Sequence, residues 1–323
     1  MHVPAPARLV ALAAALALAH TGAAPAHAAA QPDYPGHTDS RYLVLDGSEA
    51  DLRTARDAGC ADARQNRDGL RILFLGTQEE GDLLRPPGTT ASTEAARTST
   101  DRVPQVAAAY TESFAECRTG DTTAVLALGV NNKDDGGVSG AAAGTAWARV
   151  VEASAERADN RAVTVTGAVD AEPSWSTPSW ARSWVGSYAR GTERALYAAN
   201  SADGCPTSAT GTTACNNGWD LADVHYTAGG AAPTVVAIPQ IYRTDGIQAR
   251  QWAAVSHWGH IHADGPLRFA GALAQHTACS QRGGCERTDN TPKAAWTQLR
   301  DALNANAHTR VSELPYASDM SWA

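Results

Sequence analysis

Eight short runs rich in β-forming residues punctuate this chain, at 41–46, 70–76, 124–131, 163–172, 194–200, 223–228, 234–242 and 267–275, and helix-forming patterns separate most of them. That alternation constrains the fold most, because a strand that returns parallel to its predecessor needs a long crossover, usually a helix. Ser48 stands before a helical pattern through Ala58, and Asp101 before another through Glu116. An alanine-rich segment at 144–158 puts Trp147, Val150 and Val151 on one side, and further helices are predicted over 177–188, 245–258 and 292–307, the last with Pro292 suited to a first turn. Eight strands and a final covering helix predict one α/β domain, a (β/α)8 barrel of the TIM type. The links after the fifth and sixth runs are short or loop-like, so irregular or missing helices are expected in the second half. A doubly wound open sheet is the alternative, but Gly76-Thr77-Gln78 and Gly129-Val130-Asn131 lack the spacing of a phosphate-binding turn. No nucleotide cofactor is therefore expected. The polar loop 86–100, together with 131–140, is predicted to form part of the barrel rim.

The run 163–172 is the most apolar in mid-chain and ends in Val169-Asp170-Ala171-Glu172 before Pro173 breaks it. Side chains alternate across a strand, so Asp170 and Glu172 share a face with Thr164, Thr166 and Ala168, while Val163, Val165, Gly167, Val169 and Ala171 share the other. Valines facing outward to helices and small or polar residues facing a barrel axis would present both acids at the rim. Their Cβ atoms would lie roughly 7 Å apart. A close carboxyl pair in a partly dry cleft can hold one proton between its members, as glycoside hydrolysis requires. Glu172, nearer the rim, is the candidate acid, with Asp170 staying ionised and tuning it. The same pair also suits a strand end that accepts backbone N–H groups from the next helix or an ion pair with Arg182.

Trp180, Trp184 and Tyr188 follow at helical spacing and read as packing against the barrel. Trp175, in the turn beyond Glu172, is placed to offer an indole platform to a sugar or to desolvate the acid. Tyr197, His225, Tyr226, Gln240 and Tyr242 fall on or at the ends of neighbouring predicted strands, and those of inward parity would line the same mouth. His257, His260 and His262 suggest a metal, but only Asp264 stands near as a carboxylate, so solvated loop histidines are the preferred reading and no metal is expected. No G-x-S-x-G occurs to mark a serine nucleophile.

The first thirty residues read as a secretory signal: Arg8 in a basic n-region, an apolar stretch over 9–19, and A-x-A sites at Ala26-His27-Ala28 and Ala28-Ala29-Ala30. Residues 31–323 would then form one secreted, extracellular domain without a membrane span. A net charge of −8 gives no basic surface for nucleic acid or anionic lipid. The only lysines, Lys133 and Lys293, are read as composition bias without chemistry. Six cysteines in an oxidising compartment favour disulfides over zinc, whose close C-x-x-C spacing is missing. Cys205 with Cys215 and Cys279 with Cys285 are local pairs across Gly/Ser/Thr-rich loops, and Cys60 with Cys117 is left by elimination.

Val44-Leu45-Asp46-Gly47-Ser48, Val169-Asp170-Ala171-Glu172, Leu196-Tyr197, Val224-His225-Tyr226 and Pro239-Gln240-Ile241-Tyr242, in that order, resemble family-25 glycoside hydrolases, the lysozyme-type muramidases, and related secreted glycoside-hydrolase-like barrels. The resemblance implies a general acid at Glu172, with Asp170 and Asp46 as supporting carboxylates and a polysaccharide or peptidoglycan glycan as partner. Ile238-Pro239 stands where that pattern has an aromatic, and no carboxylate ends the run 267–275, leaving Asp245 as a substitute. Two functions are thus expected from the sequence: hydrolysis of a cell-wall or extracellular polysaccharide, or glycan binding by an envelope-associated barrel without turnover.

Overall fold

Parallel strands β1 (Thr38–Tyr42), β2 (Gly69–Phe74), β3 (Ala124–Asn131), β4 (Val163–Asp170), β5 (Leu196–Ala198), β6 (Val235–Ala237), β7 (Gly271–Ala274) and β8 (Tyr316–Trp322) form a single sheet in a computed structural model that describes residues 32–323 with Met1 and His2. The predicted leader thus lies almost wholly outside the described residues. Neighbours follow chain order from β1 to β6, and β8 sits between β7 and β1. Bridges between Ala237 and Phe269 and between Gln240 and Leu273 join the β6 and β7 segments, closing the sheet into a barrel. Closure removes the unpaired edges that an open sheet would carry. Helices α1 (Glu49–Arg64), α2 (Arg102–Cys117), α3 (Gly140–Ala158), α4 (Pro178–Gly191), α5 (Leu221–His225), α6 (Ile247–His262), α7 (His276–Gln281) and α8 (Pro292–Asn304) lie between the strands. The expected (β/α)8 class is the observed one.

Local chemistry explains most of the helix starts. Ser48, Ser139, Thr177 and Thr291 accept backbone N–H groups of the first turns of α1, α3, α4 and α8, and proline opens the last two. Strand parity holds as read: Val163, Val165, Val169 and Ala171 join the core beneath the helices, while Ala168 joins the barrel interior with Leu70, Ile72, Phe74 and Met320. Gly167 has a steric reason to be glycine, because a Cβ there would lie 2.3 Å from the Tyr188 hydroxyl of α4. Trp184 and Tyr188 are buried and stacked, as their spacing predicts. Two other buried indoles find backbone acceptors: Trp147 donates to Leu128 O at 3.0 Å and Trp296 to Leu314 O at 2.8 Å.

Two assignments change. The run 223–228 is not a strand: Asp220 and Asp223 form a reciprocal capping box that starts α5, which continues into a wide turn at Tyr226–Gly230. Apolar content alone could not separate a short buried helix from a strand there. The eighth strand is instead β8, which follows α8, so α8 is not a final covering helix. Its sequence, Tyr-Ala-Ser-Asp-Met-Ser-Trp, lacks apolar alternation because its inward Ser318 meets Ser40 at 2.7 Å, one polar side chain satisfying another. The second half is irregular as expected, with only α5 and two short turns between β5 and β6. The segment after β2 adds a small antiparallel sheet of Thr77–Glu79, Leu83–Arg85 and Thr98–Ser99, the last of which falls within the stretch 86–100 expected as loop.

All three expected disulfides form: Cys60–Cys117 ties α1 to α2, Cys205–Cys215 closes the loop after β5, and Cys279–Cys285 closes the loop after α7. Among the described residues, no helix is long and apolar enough to cross a membrane.

Candidate active site

A cleft of about 210 Å³ opens at the C-terminal ends of the strands. Tyr42 of β1, Phe74 of β2, Asn131 of β3, Asp170 of β4 and Trp322 of β8 all reach it from their strand ends. This is the face on which barrel enzymes of this architecture place their chemistry, because strand ends and the loops beyond them converge there.

Asp170 is buried at 5% exposure and lines the cleft, while Glu172, just beyond the strand, is half-buried beside it. One amide joins them. Gln240 Nε2 donates to Asp170 Oδ1 at 2.6 Å, to Glu172 Oε1 at 3.3 Å and to Ala199 O at 3.1 Å. A single nitrogen touching both carboxyls holds those oxygens within about 6 Å of each other, near the shorter of the two separations used by glycosidases. Asn132 fixes the backbone beneath: its Nδ2 donates to Glu172 O and its Oδ1 accepts from Glu172 N–H, both at 3.0 Å. Asn200 Oδ1 accepts from Ala171 N–H at 3.0 Å. Both faces of the D-x-E segment are therefore clamped by side chains from adjacent strand ends.

Burial raises the pKa of both acids, since it disfavours the charged form. Glu172 is pushed up to about 7, by burial first and then by the nearby Asp203 carboxylate, against the lowering influence of Gln240 and Lys133. Asp170 is raised well above its ordinary range by its deeper burial and then by Glu172, so it is not the readily ionised member that the strand-end reading expects. Such a pair retains a proton well above the usual carboxylate range. Asp203, itself raised by burial, is a third acid at the site that the sequence reading missed. Its signal was an acid shortly beyond the end of the fifth strand, followed by Gly204 in a left-handed turn.

Other expected residues divide. Gln240 reaches the site, but as the donor that positions the two acids. Tyr242 is buried near Tyr42, its phenol raised by burial first and then by Tyr42 and the two carboxylates. Trp175 lines the cleft, and the Lys133 ammonium lies 5.0 Å from its ring centroid, so that indole face is shared with a cation. Tyr197 turns toward the opposite end of the lumen, edge-on to Tyr316 at the start of β8. Tyr226 leaves the mouth because its segment is helical: it packs under the Arg182 guanidinium, 4.0 Å away, on the outside of the barrel. Arg182 pairs with Asp223 at 3.2 Å rather than with Glu172. Asp46 is also withdrawn. It is exposed, accepts from Ser48 N–H at 2.8 Å, and is held below the usual carboxylate range chiefly by Ser48 as it shapes the turn into α1. Asp245 pairs with Arg243 on the surface, which lowers it to about 2.

Tyr42 and Trp322, stacked at 4.5 Å, supply an aromatic wall that no strand pattern announced. Lys133, set aside as composition bias, faces the acids. His257 and His260 lie on the last turns of α6 rather than in a loop, and their rings stack with His308. Among the described residues, no group of three or more His, Cys, Asp or Glu is placed to hold a metal ion.

Comparison of the sequence with protein-family models and with curated proteins returns no match. The class that the fold and cleft define is an α/β barrel with a clamped carboxyl pair at its C-terminal mouth.

Proposed function

We propose that this chain is a secreted glycoside hydrolase of cell-wall or extracellular polysaccharide, related in design to the family-25 muramidases. One observation carries the reading: a half-buried Glu172 with a pKa of about 7, bound through one amide to the buried Asp170, beside an aromatic-walled cleft at the strand ends. A carboxyl that keeps its proton near neutral pH can donate it to a leaving glycosidic oxygen. When the coupled pair holds a single proton, the member left ionised stabilises the positive charge that develops on the sugar ring. The signal-like leader and the three disulfides support export to an oxidising compartment.

Release of reducing ends from peptidoglycan and from a panel of extracellular polysaccharides tests the reading. Glu172→Gln keeps the side-chain volume and is expected to lower the rate by roughly 10²- to 10⁴-fold with an unchanged near-UV circular dichroism spectrum. Undiminished turnover in that variant removes Glu172 from the chemistry. Withdrawal of Asp46 and the cation over Trp175 favour a second reading, glycan binding without turnover. It is distinguished by wild-type protein that binds a glycan, releases no reducing ends, and loses binding on Trp175→Ala but not on Glu172→Gln.

A further inference from the structure

Two cations of the cleft make no direct ion pair. Lys133 and Arg282 both line it, and neither forms an ion pair among the described residues. Other arginines on the neighbouring loops are neutralised: Arg85 by Asp135, Arg97 by Glu79, and Arg243 by Asp245. The contrast matters in a chain of net charge −8, where carboxylates outnumber basic groups and unpaired cations inside one cleft call for an explanation.

Arg282 is also built in place rather than left on a mobile arm. Its guanidinium carbon lies 3.9 Å from the centroid of the Trp322 ring, which occupies one face and leaves the N–H edge free. The preceding residue, Gln281, grips the Trp322 backbone twice, donating to its carbonyl at 3.0 Å and accepting its N–H at 2.7 Å. Asp319 accepts the His276 and Thr277 N–H groups at 2.7 and 3.1 Å, anchoring the start of α7 to β8. The Cys279–Cys285 bridge encloses Arg282 in a short loop. Strand β8, helix α7 and the disulfide thus fix a stacked guanidinium on the cleft wall, and its free edge has the fork geometry that matches a carboxylate. Lys133, over Trp175 on the side of the acids, adds a second positive charge that falls on the same cleft.

Building on the glycan reading, we infer that the cleft selects an acidic polysaccharide whose sugar carboxylate is received by Arg282, with Lys133 reinforcing the attraction. Tyr42, Phe74 and Trp322 form the apolar wall of the cleft, and the two cations supply the charge selection.

The test measures binding by affinity electrophoresis and calorimetry, using hyaluronan, alginate, polygalacturonate and peptidoglycan glycan strands, each intact and after chemical reduction of its carboxylates to alcohols. Carboxyl-reduced chondroitin sulfate, which keeps its sulfates, separates the two anion types. Wild-type protein is expected to bind at least one intact polymer tenfold or more tighter than its reduced form. Arg282→Gln is expected to bring the intact and reduced forms to equal affinity, and Lys133→Met to narrow the difference between them. Equal binding of intact and reduced forms, absence of binding to all of them, retention on the sulfated reduced polymer, or an intact preference in Arg282→Gln each overturns the inference. The same measurements on Glu172→Gln need no turnover. Acid-selective binding without release of reducing ends by wild-type protein would remove the hydrolase reading and leave this one standing.

Discussion

The two ends of the barrel lumen use the same strand alternation to opposite effect. At the lower end, Thr38, Ser40 and Ser318 are neutral hydroxyls bonded to one another and to backbone groups. Ser40 and Ser318 meet at 2.7 Å, Ser40 Oγ accepts the Ile72 N–H at 2.9 Å, Ser318 donates to Thr38 O at 3.0 Å, and Thr38 donates to Leu70 O. At the mouth, two carboxyls share one amide donor, a third acid stands close, and two cations are left unpaired. Neutral networks of hydroxyls are indifferent to pH. Buried acids are not, and their proton affinity is the property that chemistry uses. The comparison teaches that this lumen keeps its neutral polarity and its ionisable polarity at separate ends, where changing one need not disturb the other.

The largest separation between the ends should appear in stability against pH. Glu172 has a folded pKa of about 7 against an ordinary value of 4.5. Below 4.5 the carboxyl is protonated in folded and unfolded chains alike and costs nothing. As pH rises from 4.5 to 7 the unfolded chain ionises first, so the folded state loses stability across that window, and above 7 the loss is complete. Glu172→Gln removes the ionisation and should therefore stabilise the protein at pH 8 relative to pH 4, by roughly 3 kcal/mol at most, since a half-buried group is partly screened by water. Thermal melts of both proteins from pH 4 to pH 8 check this, and parallel curves would show that the mouth carries no such strain.

A smaller effect is expected at the lower end. Ser318→Ala removes one of the two partners of the Ser40 hydroxyl, which keeps the Ile72 N–H, and should cost about 1 kcal/mol at every pH, while any glycan turnover and its pH profile stay unchanged. A shifted profile in that variant would mean that the two ends communicate. The smallest effect belongs to Asp46, outside the lumen. Asp46→Asn keeps a side-chain oxygen that can accept from Ser48, so Tm should move by no more than about 2 °C and turnover should hold. A large loss of turnover there would restore Asp46 to the site, contrary to its place in the α1 turn.

What could be read from sequence differs between residues for physical reasons. Val163–Asp170 was legible although burial on both faces usually blurs alternation, because its outward positions are mostly valine and its inward ones are small or polar. Helix starts were legible where Ser48 or Thr177 offered a side-chain oxygen to the first turn. Strand β8 was not, because Ser318 faces another serine, and a polar pair inside a barrel looks like surface in one dimension. Nor was α5, where five residues are too few for a helical period to emerge. Within the site, Asp170, Glu172 and Gln240 were found from strand ends. Asp203, Arg282 and Trp322 were missed because a loop and a late strand bring them in from far along the chain.

By itself the sequence determined the alternation of strands and helices, the parity that aims Asp170 and Glu172 toward the lumen, and the cysteine pairs, since each depends on neighbours or on count. Only the tertiary structure decided which acids share a donor and which cations make no ion pair. Those outcomes depend on distances between segments up to seventy residues apart, as Gln240 and Asp170 are, and on burial that raises a carboxyl's proton affinity. Local pattern encodes neither.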